Sequence, residues 1–209
     1  MTDKQYIQYG CGWCAPARWR NFDASPTLRF ERIPLLGRLY TKNQVPFPKN
    51  VEYGDIVIGL PVPDISCHAV YCSHVLEHLA LDDFRLALKN TYKVLASGGV
   101  FRFVIPDLEF AITNYINDAT HEAAINFMHS TLLGKEKRLR GLWGVMSLWL
   151  GNSQHLWMWD YKSIQFELQR TGFKDIRRAY FGDSSYDNIF QDVESLERWE
   201  NCLGVECKK

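Results

Sequence analysis

The sequence AVYCSHVLEHL at residues 69–79, followed by LASGGVFRFVI at residues 95–105, decides the fold. The first stretch opens with an apolar run that predicts a strand, and the run after the glycines is typical of a central strand covered on both faces. Between them, apolar side chains recur at three-to-four spacing, which predicts a helix with Asp82 as its N-cap and Ser97-Gly98-Gly99 as its end. Strand, helix and strand in this order are the repeating unit of a parallel sheet.

The rest of the chain extends this unit into one α/β domain covering residues 1–209, with helices on both faces of a mainly parallel, doubly wound sheet. A second regular helix is predicted at 161–171, closed by Gly172. Residues from about 110 to 160 form an irregular helical, aromatic insertion after the fifth strand, and an antiparallel last strand is expected. Besides the two strands above, the predicted strands are residues 6–9, 20–23, 51–54, 176–180 and 203–208.

Composition excludes several classes of protein. Lys plus Arg number 24 and Asp plus Glu number 24, so no basic excess favours binding to nucleic acid. No stretch reaches the roughly 18 apolar residues of a membrane span, and the first residues are polar, so we expect a cytoplasmic protein with reduced cysteines. Nothing in the sequence indicates the oligomeric state.

Small and polar residues follow the predicted strands at their carboxyl ends, where open parallel sheets bind ligands. An acid after the second strand can accept the hydroxyls of a ribose, and a side chain after the third can accept the amino group of an adenine. Each position alone is more typical of a turn or a cap, but the set favours a nucleotide-like ligand. The set is Gly10-Cys11-Gly12, Asp23, Asp55 and Ser73-His74.

Five motifs together resemble class I S-adenosylmethionine-dependent methyltransferases. They are GCG at 10–12, NFDAS at 21–25, GDI at 54–56 and, above all, YCSHVLEHL at 71–79 with LASGGV at 95–100. The similarity is greatest to the small type 11 enzymes, some of which are encoded in surface-polysaccharide gene clusters, and it covers roughly residues 6 to 109. It implies a Rossmann-like, seven-stranded sheet, S-adenosylmethionine as cofactor, and a small-molecule or glycan acceptor.

The resemblance also implies a role for the residues at the carboxyl edge. All of them are expected to contact the cofactor: Gly10 and Gly12 behind its methionine and ribose, Asp23 at the ribose, Asp55 at the adenine, and Ser73 and His74 beside the methionine.

The sequence departs from the family pattern around the first loop. Gln8 replaces the usual acid before the first glycine, the third glycine is absent, and His68 stands where many relatives carry Asp. The link from Gly12 to Arg20 is also shorter than an ordinary crossover helix. A catalytically degenerate methyltransferase fold that only binds its ligand is therefore the main alternative function.

Methyl transfer needs few protein groups, because a sulfonium methyl is already electrophilic. The enzyme mainly aligns a nucleophile and excludes water, and a hydroxyl or amine nucleophile also needs a base. We favour His155, in the insertion expected to cover the site, with His74 second. The further candidates are His78, Asp107 and Tyr161.

Two metal or redox patterns offer alternatives. His74-x-x-Glu77-His78 spells the inverted zinc-peptidase motif, and on a helix its two histidines would share one face for a zinc-dependent hydrolase. Because the pattern begins at the end of an apolar strand, we predict no metal. Cys11 and Cys14 could form a dithiol pair, or a zinc site with Cys202 and Cys207, but ordinary buried thiols are favoured.

Overall fold

The computed structural model describes residues 5–33, 45–137, 154–184, 186 and 188–209. Two tryptophans of the predicted insertion, Trp143 and Trp149, lie outside these residues. Within the described part of the chain, no helix combines the length and the apolar character that crossing a membrane requires.

Seven strands form one sheet in the order β3-β2-β1-β4-β5-β7-β6. Neighbours from β3 to β5 pair in parallel, whereas β7 pairs antiparallel with both β5 and β6. This confirms the predicted doubly wound fold, and the strand order reverses between β1 and β4, where such sheets bind ligands. The strands are β1 Gln5–Tyr9, β2 Arg20–Asp23, β3 Val51–Tyr53, β4 Cys67–Ser73, β5 Leu95–Pro106, β6 Lys174–Ala179 and β7 Cys202–Lys208.

The helices are mostly short and lie in the connections between strands. Among them, the Tyr161–Thr171 helix has the predicted bounds, and Gly172 ends it in the left-handed conformation. The helices are α1 Pro26–Glu31, α2 Leu81–Val94, α3 Leu108–Asn117, α4 Ala123–Ser130, α5 Tyr161–Thr171 and α6 Leu196–Trp199, with 3-10 turns at Leu76–His78 and Asn188–Asp192.

Both predicted ends of α2 are wrong. Ala80 is the N-cap, and Asp82 lies inside the first turn, where its charge still favours the positive end of the helix dipole. At the other end, the chain becomes extended at Leu95, which pairs with Cys67 of β4. Sheet pairing therefore overrides the turn signal of the Ser-Gly-Gly sequence, which lies within β5.

One face of the sheet is covered by α2 and α5. Apolar side chains of both helices, among them Phe84 and Leu168, pack with strand residues in the largest core cluster. Arg85 of α2 donates two hydrogen bonds to Glu167 of α5, at 3.1 and 2.9 Å, and joins the two helices at their outer edge. The two helices on this face are the two regular helices that the sequence predicts.

The described residues cover the opposite face without a long helix. Residues 10–19, which connect β1 to β2, are all described and contain no helix, as their shortness predicted. A second core cluster fills this face with Trp19 and side chains from residues 189–199, which belong to the connection between β6 and β7. We call residues 180–201 the strap, because this connection crosses the sheet face.

Arg102 of β5 fixes the strap from within the sheet. Its guanidinium is fully buried and donates to Glu194, Asp183 and Glu206, as well as to the carbonyl of Tyr180. The ring of Trp199 lies 4.6 Å from its guanidinium carbon. Three carboxylates around one cation satisfy a charge that would otherwise be costly to bury.

The predicted helical insertion after the fifth strand contains α3 and α4 in its described part. Neither helix buries a residue. Trp159, at the end of the insertion, packs against Phe84 with ring centroids 4.2 Å apart, whereas Trp157 is 41% exposed. The backbone amides of Leu156 and Trp157 both donate to the carbonyl of Glu77, which ties the insertion to the carboxyl end of β4.

Candidate functional site

The glycine loop leaves β1 at the point where the strand order reverses. Gly10 and Gly12 both have left-handed backbones, with φ of +65° and +55°. A Cβ on Gly10 would lie 2.1 Å from Val75, so this glycine is required by packing against the turn after β4. A Cβ on Gly12 would meet nothing within 4 Å. Gly12 therefore presents open backbone on the side where a ligand is expected.

Asp23 ends β2 beside this open glycine. Its side chain is nearly buried, and one carboxylate oxygen accepts a hydrogen bond from the amide of Gly12 at 2.9 Å. The other oxygen accepts from the amide of Ser25 at 2.8 Å. Each oxygen keeps a further lone pair, so Asp23 can hold the loop and still accept a ribose hydroxyl.

Gln8 has a structural reason to replace the usual acid. Its amide nitrogen donates to the carbonyl of Cys14 at 2.7 Å and to the side-chain oxygen of Asn21 at 2.6 Å. The amide of Asn21 in turn donates to the carbonyl of Trp19 at 2.9 Å. A carboxylate at position 8 has no proton to donate to these acceptors, so glutamine anchors the loop that stands in place of a helix.

Asp55 follows β3 and is partly exposed. One carboxylate oxygen accepts from the amide of Val57 at 2.9 Å, which makes a local turn. Asn90 of α2 donates to the carbonyls of Ile56 and Val57, at 2.7 and 3.0 Å, and fixes this turn against the helix. The predicted contact of Asp55 with adenine stays a prediction.

Ser73 and His74, at the end of β4, are already engaged by the strap. Arg198 donates to the hydroxyl of Ser73 at 2.7 Å and to its carbonyl at 3.0 Å. The Nε2 atom of His74 lies 2.9 Å from the carbonyl of Arg198. His74 also has a left-handed backbone, with φ of 54°, which is uncommon for a residue with a side chain. Their predicted contact with the methionine remains a prediction.

Glu77 lies at the centre of a group of three histidines. Its side chain is fully buried, yet neither carboxylate oxygen accepts a hydrogen bond from a described residue. Nδ1 of His74 lies 3.2 Å from Oε1, close enough for an ion pair but outside hydrogen-bond geometry. The Nε2 atoms of His78 and His155 each lie 4.0 Å from the same oxygen.

The surroundings shift the pKa values of His74 and His155 in opposite directions. Burial opposes protonation of His74, but the thiol of Cys202, the carboxylate of Glu77 and the carbonyl of Arg198 outweigh it and raise its pKa to about 10. Burial lowers the pKa of His155, despite the attraction of Glu77. At neutral pH, His74 is therefore a cation unsuited to accept a proton, whereas His155 is a neutral imidazole.

The other two candidate bases have structural partners. Asp107 is the N-cap of α3, where it accepts from the amide of Glu109 at 2.8 Å, and it also pairs with Arg178. The hydroxyl of Tyr161 donates to the carbonyl of Ile176 at 3.2 Å.

The geometry of the inverted zinc-peptidase motif is absent. His74 belongs to the end of β4 and only Leu76–His78 forms a 3-10 turn, so the two histidines do not share a helix face. The ligand atoms that converge belong to Glu77, His78 and His155, so His155 stands where the motif would require His74. The hydrolase hypothesis, which required His74, loses its geometric basis.

All six cysteines are free, and none belongs to the convergent group of metal-ligating atoms found among the described residues. Burial raises the pKa of Cys11 to about 12, which keeps it a thiol. Cys11 and Cys207 belong to different core clusters, and Cys14 has its sulfur 3.9 Å from the carbonyl of Asp192.

Arg198 is the main residue of this site that sequence reasoning missed. It lies 125 positions from Ser73 along the chain and belongs to a helix of only four residues. No local motif marks such an arginine. Only the folding of the strap over β4 brings it to the site.

The residues of this edge fit S-adenosylmethionine. Gly12 offers unobstructed backbone, and Asp23 offers free acceptor capacity directly beside it. Together they provide the close backbone approach and the ribose acceptor that such a ligand requires.

Comparison with known proteins agrees with this geometry. Residues 8–103 match the family model described as a methyltransferase domain. No curated protein matches the chain significantly.

Solved structures show the same fold across nearly the whole chain. A SAM-dependent methyltransferase from Archaeoglobus fulgidus is 15% identical, with a TM-score of 0.53, over 99% of this chain and 86% of that one. One from Methanosarcina mazei is 14% identical, with a TM-score of 0.52, over 99% and 92%. A Thermotoga maritima protein described as a possible histamine N-methyltransferase is 13% identical, with a TM-score of 0.52, over 100% and 84%. The chain therefore has the fold of S-adenosylmethionine-dependent methyltransferases, and its residues 8–103 match the methyltransferase-domain family.

Proposed function

We propose that this protein transfers the methyl group of S-adenosylmethionine to a small-molecule or glycan acceptor. The observation that carries the proposal is the position of a buried, neutral His155 near Glu77, at the carboxyl end of β4 and beside the turn that packs on Gly10. A proton acceptor thus lies at the same sheet edge as the groups that fit the cofactor.

The residues of this edge divide the work of the reaction. Gly12 and Asp23 bind and orient the cofactor, which supplies an electrophilic methyl group when bound. Leu156 and Trp157, at the end of the insertion, are tied to Glu77 by two backbone hydrogen bonds, and we assign to this segment the exclusion of water from the acceptor. The protein thereby aligns the acceptor with the methyl group, which is the main requirement of this chemistry.

His155 is the residue we assign to the acceptor proton. Its Nε2 atom faces the carboxylate of Glu77 at 4.0 Å, and its Nδ1 atom, which has no hydrogen-bond partner among the described residues, accepts the proton as the acceptor attacks. The resulting imidazolium is stabilised by the negative charge of Glu77, as a carboxylate stabilises the histidine of a catalytic triad.

Transfer of label from methyl-labelled S-adenosylmethionine to a panel of hydroxylated and amino small molecules and glycans tests the proposal. We expect labelled product with the wild-type protein and a rate lower by about 10²–10⁴-fold in His155→Gln, the usual contribution of a general base. His129→Gln, an exposed histidine 3.2 Å from Glu136, is the matched control and should keep the wild-type rate.

Two results would count against this assignment. Equal rates in His155→Gln and the wild-type protein would exclude His155 as the base. Tight binding of S-adenosylhomocysteine without any labelled product would instead favour the alternative of a methyltransferase fold that binds without catalysis.

A further inference from the structure

The carboxylate of Glu77 is the least satisfied charged group of the described structure. Its side chain has no solvent exposure, and neither oxygen accepts a hydrogen bond from a described residue. His74 offsets part of the charge at 3.2 Å, but outside hydrogen-bond geometry, so the lone pairs of both oxygens remain available. A buried carboxylate in this state is costly unless a further cation joins it.

His78 is oriented as a metal ligand. Its Nδ1 atom lies 2.9 Å from the carbonyl of Gln154 and donates a hydrogen bond to it. Nε2 then carries the free lone pair, and it is the atom that lies 4.0 Å from Oε1 of Glu77. A backbone carbonyl that fixes the tautomer from behind is the usual support of a metal-binding histidine.

His155 completes the group from the other side. It is 8% exposed, its Nε2 atom also lies 4.0 Å from Oε1 of Glu77, and its Nδ1 atom has no hydrogen-bond partner among the described residues. The rings of His78 and His155 meet edge to face, with centroids 4.9 Å apart. Two imidazoles thus converge on one carboxylate without a hydrogen bond between them.

We propose that Glu77, His78 and His155 bind a divalent metal ion, with zinc as the best fit. Their ligand atoms lie within 4.8 Å of one another, the one such group that the described residues contain. Zinc bonds of about 2.0–2.2 Å require the distances between ligand atoms to shorten by roughly 0.5 to 1.4 Å, which rotation of the side chains can supply. Two histidines and one glutamate are also the protein ligands of catalytic zinc sites that keep a position open.

The use of the open position rests on the proposed function. At this open position the metal ion would bind a hydroxyl oxygen of the acceptor and lower the pKa of that hydroxyl. The hydroxyl proton passes to solvent, the oxygen bonds to the methyl carbon, and the bond from sulfur to that carbon breaks, with no change in oxidation state of the metal. The acceptor class is then a hydroxylated compound. In the zinc-bound protein His155 would be a ligand, and its role as a base would belong to the metal-free protein.

Equilibrium dialysis of the full chain against zinc, after chelator treatment, measures the site directly. We expect one zinc ion per wild-type chain and at least a tenfold loss of affinity in Glu77→Gln, which keeps the size of the side chain. His155→Ala should show the same loss. His129→Ala, which removes an exposed histidine beside a glutamate, and Cys14→Ser, which removes an exposed thiol, should bind zinc as the wild type does.

Absorption of the cobalt-substituted protein identifies the ligands. A d–d spectrum without a sulfur charge-transfer band, lost in Glu77→Gln, is the expected result. Thermal unfolding without metal shows whether each variant is folded. If His155→Ala does not fold, Glu77→Gln alone tests the site. The proposal is overturned if the wild-type chain binds no zinc, if Glu77→Gln binds it equally, or if the cobalt spectrum shows sulfur ligands.

Titration of the same samples with S-adenosylhomocysteine separates this proposal from the proposed function. If the protein binds S-adenosylhomocysteine but no zinc, the proposal of a metal site fails and the proposal of methyl transfer stands. If the protein binds zinc but no S-adenosylhomocysteine, the proposal of a metal site stands and the proposal of methyl transfer fails.

Discussion

At the scale of single residues, the two glycines of the first loop have different tasks. Both adopt positive φ, but only Gly10 lacks room for a side chain, since a Cβ there would overlap Val75. Gly12 borders open space. The first glycine is therefore required by the fold, whereas the second leaves room in which we expect the ligand to bind.

Alanine substitutions should separate these tasks. Gly12→Ala is expected to lower the free energy of unfolding by about 1–2 kcal/mol, the cost of the left-handed backbone, and to weaken binding of S-adenosylhomocysteine by filling the open space. Gly10→Ala should lose more stability, because the overlap adds to the same strain. Denaturant unfolding and calorimetry measure both effects, and equal stability losses would contradict the distinction.

At the scale of secondary structure, the ion pair between α2 and α5 should make stability depend on pH. Hydrogen bonds from Arg85 lower the pKa of Glu167. A carboxyl group with a lowered pKa in the folded state stabilises that state above its ordinary pKa, and this contribution disappears as the pH falls through the folded-state pKa.

The melting temperature of Glu167→Gln measures this contribution. We expect the variant to melt below the wild-type protein near neutral pH, and the difference to shrink as the pH falls below about 4 and to vanish in stronger acid. Glu197→Gln, which changes a glutamate with no such partner in the described hydrogen bonds, should show no such pH dependence. A constant difference between wild type and Glu167→Gln at all pH values would contradict the assignment.

The strap packs on the sheet face opposite α2 and α5. It depends on Arg102, whose removal would leave Glu194 buried without its cation and Glu206 with Arg177 alone. Arg102→Ala should therefore lower the free energy of unfolding by about 3–5 kcal/mol in denaturant titrations, the usual cost of breaking a buried ion pair. Arg170→Ala, at an exposed pair on α5, should cost less than about 1 kcal/mol. Similar losses in the two variants would show that the strap does not depend on Arg102.

At the scale of the whole molecule, the sequence predicts the parts that depend on local pattern. The strand at Arg20–Asp23 and the helix at Tyr161–Thr171 have their predicted bounds, because alternating or helical spacing and clear stop residues define them. The start of β5 was missed, because pairing between Leu95 and Cys67 outweighs the local turn signal.

The parts of the site that could not be predicted from the sequence depend on contacts between distant segments of the chain. His155 was a candidate from its residue type and its place in the insertion, but its approach to Glu77 depends on the tertiary hydrogen bonds of Leu156 and Trp157. The left-handed backbone of His74 likewise replaces the helix that the zinc-peptidase motif would need. The site therefore combines a sheet edge that the sequence predicts with an insertion and a strap whose packing it does not.

Calorimetric titration of the full chain with S-adenosylhomocysteine tests the central claim most directly. The account predicts binding at one site per chain, weakened at least tenfold in Asp23→Asn, as expected for the loss of a charged hydrogen-bond acceptor. Asp64→Asn, which changes an exposed aspartate paired with Lys93, should bind like the wild-type protein. No heat of binding with the folded wild-type chain, or equal affinity in Asp23→Asn, would contradict the account.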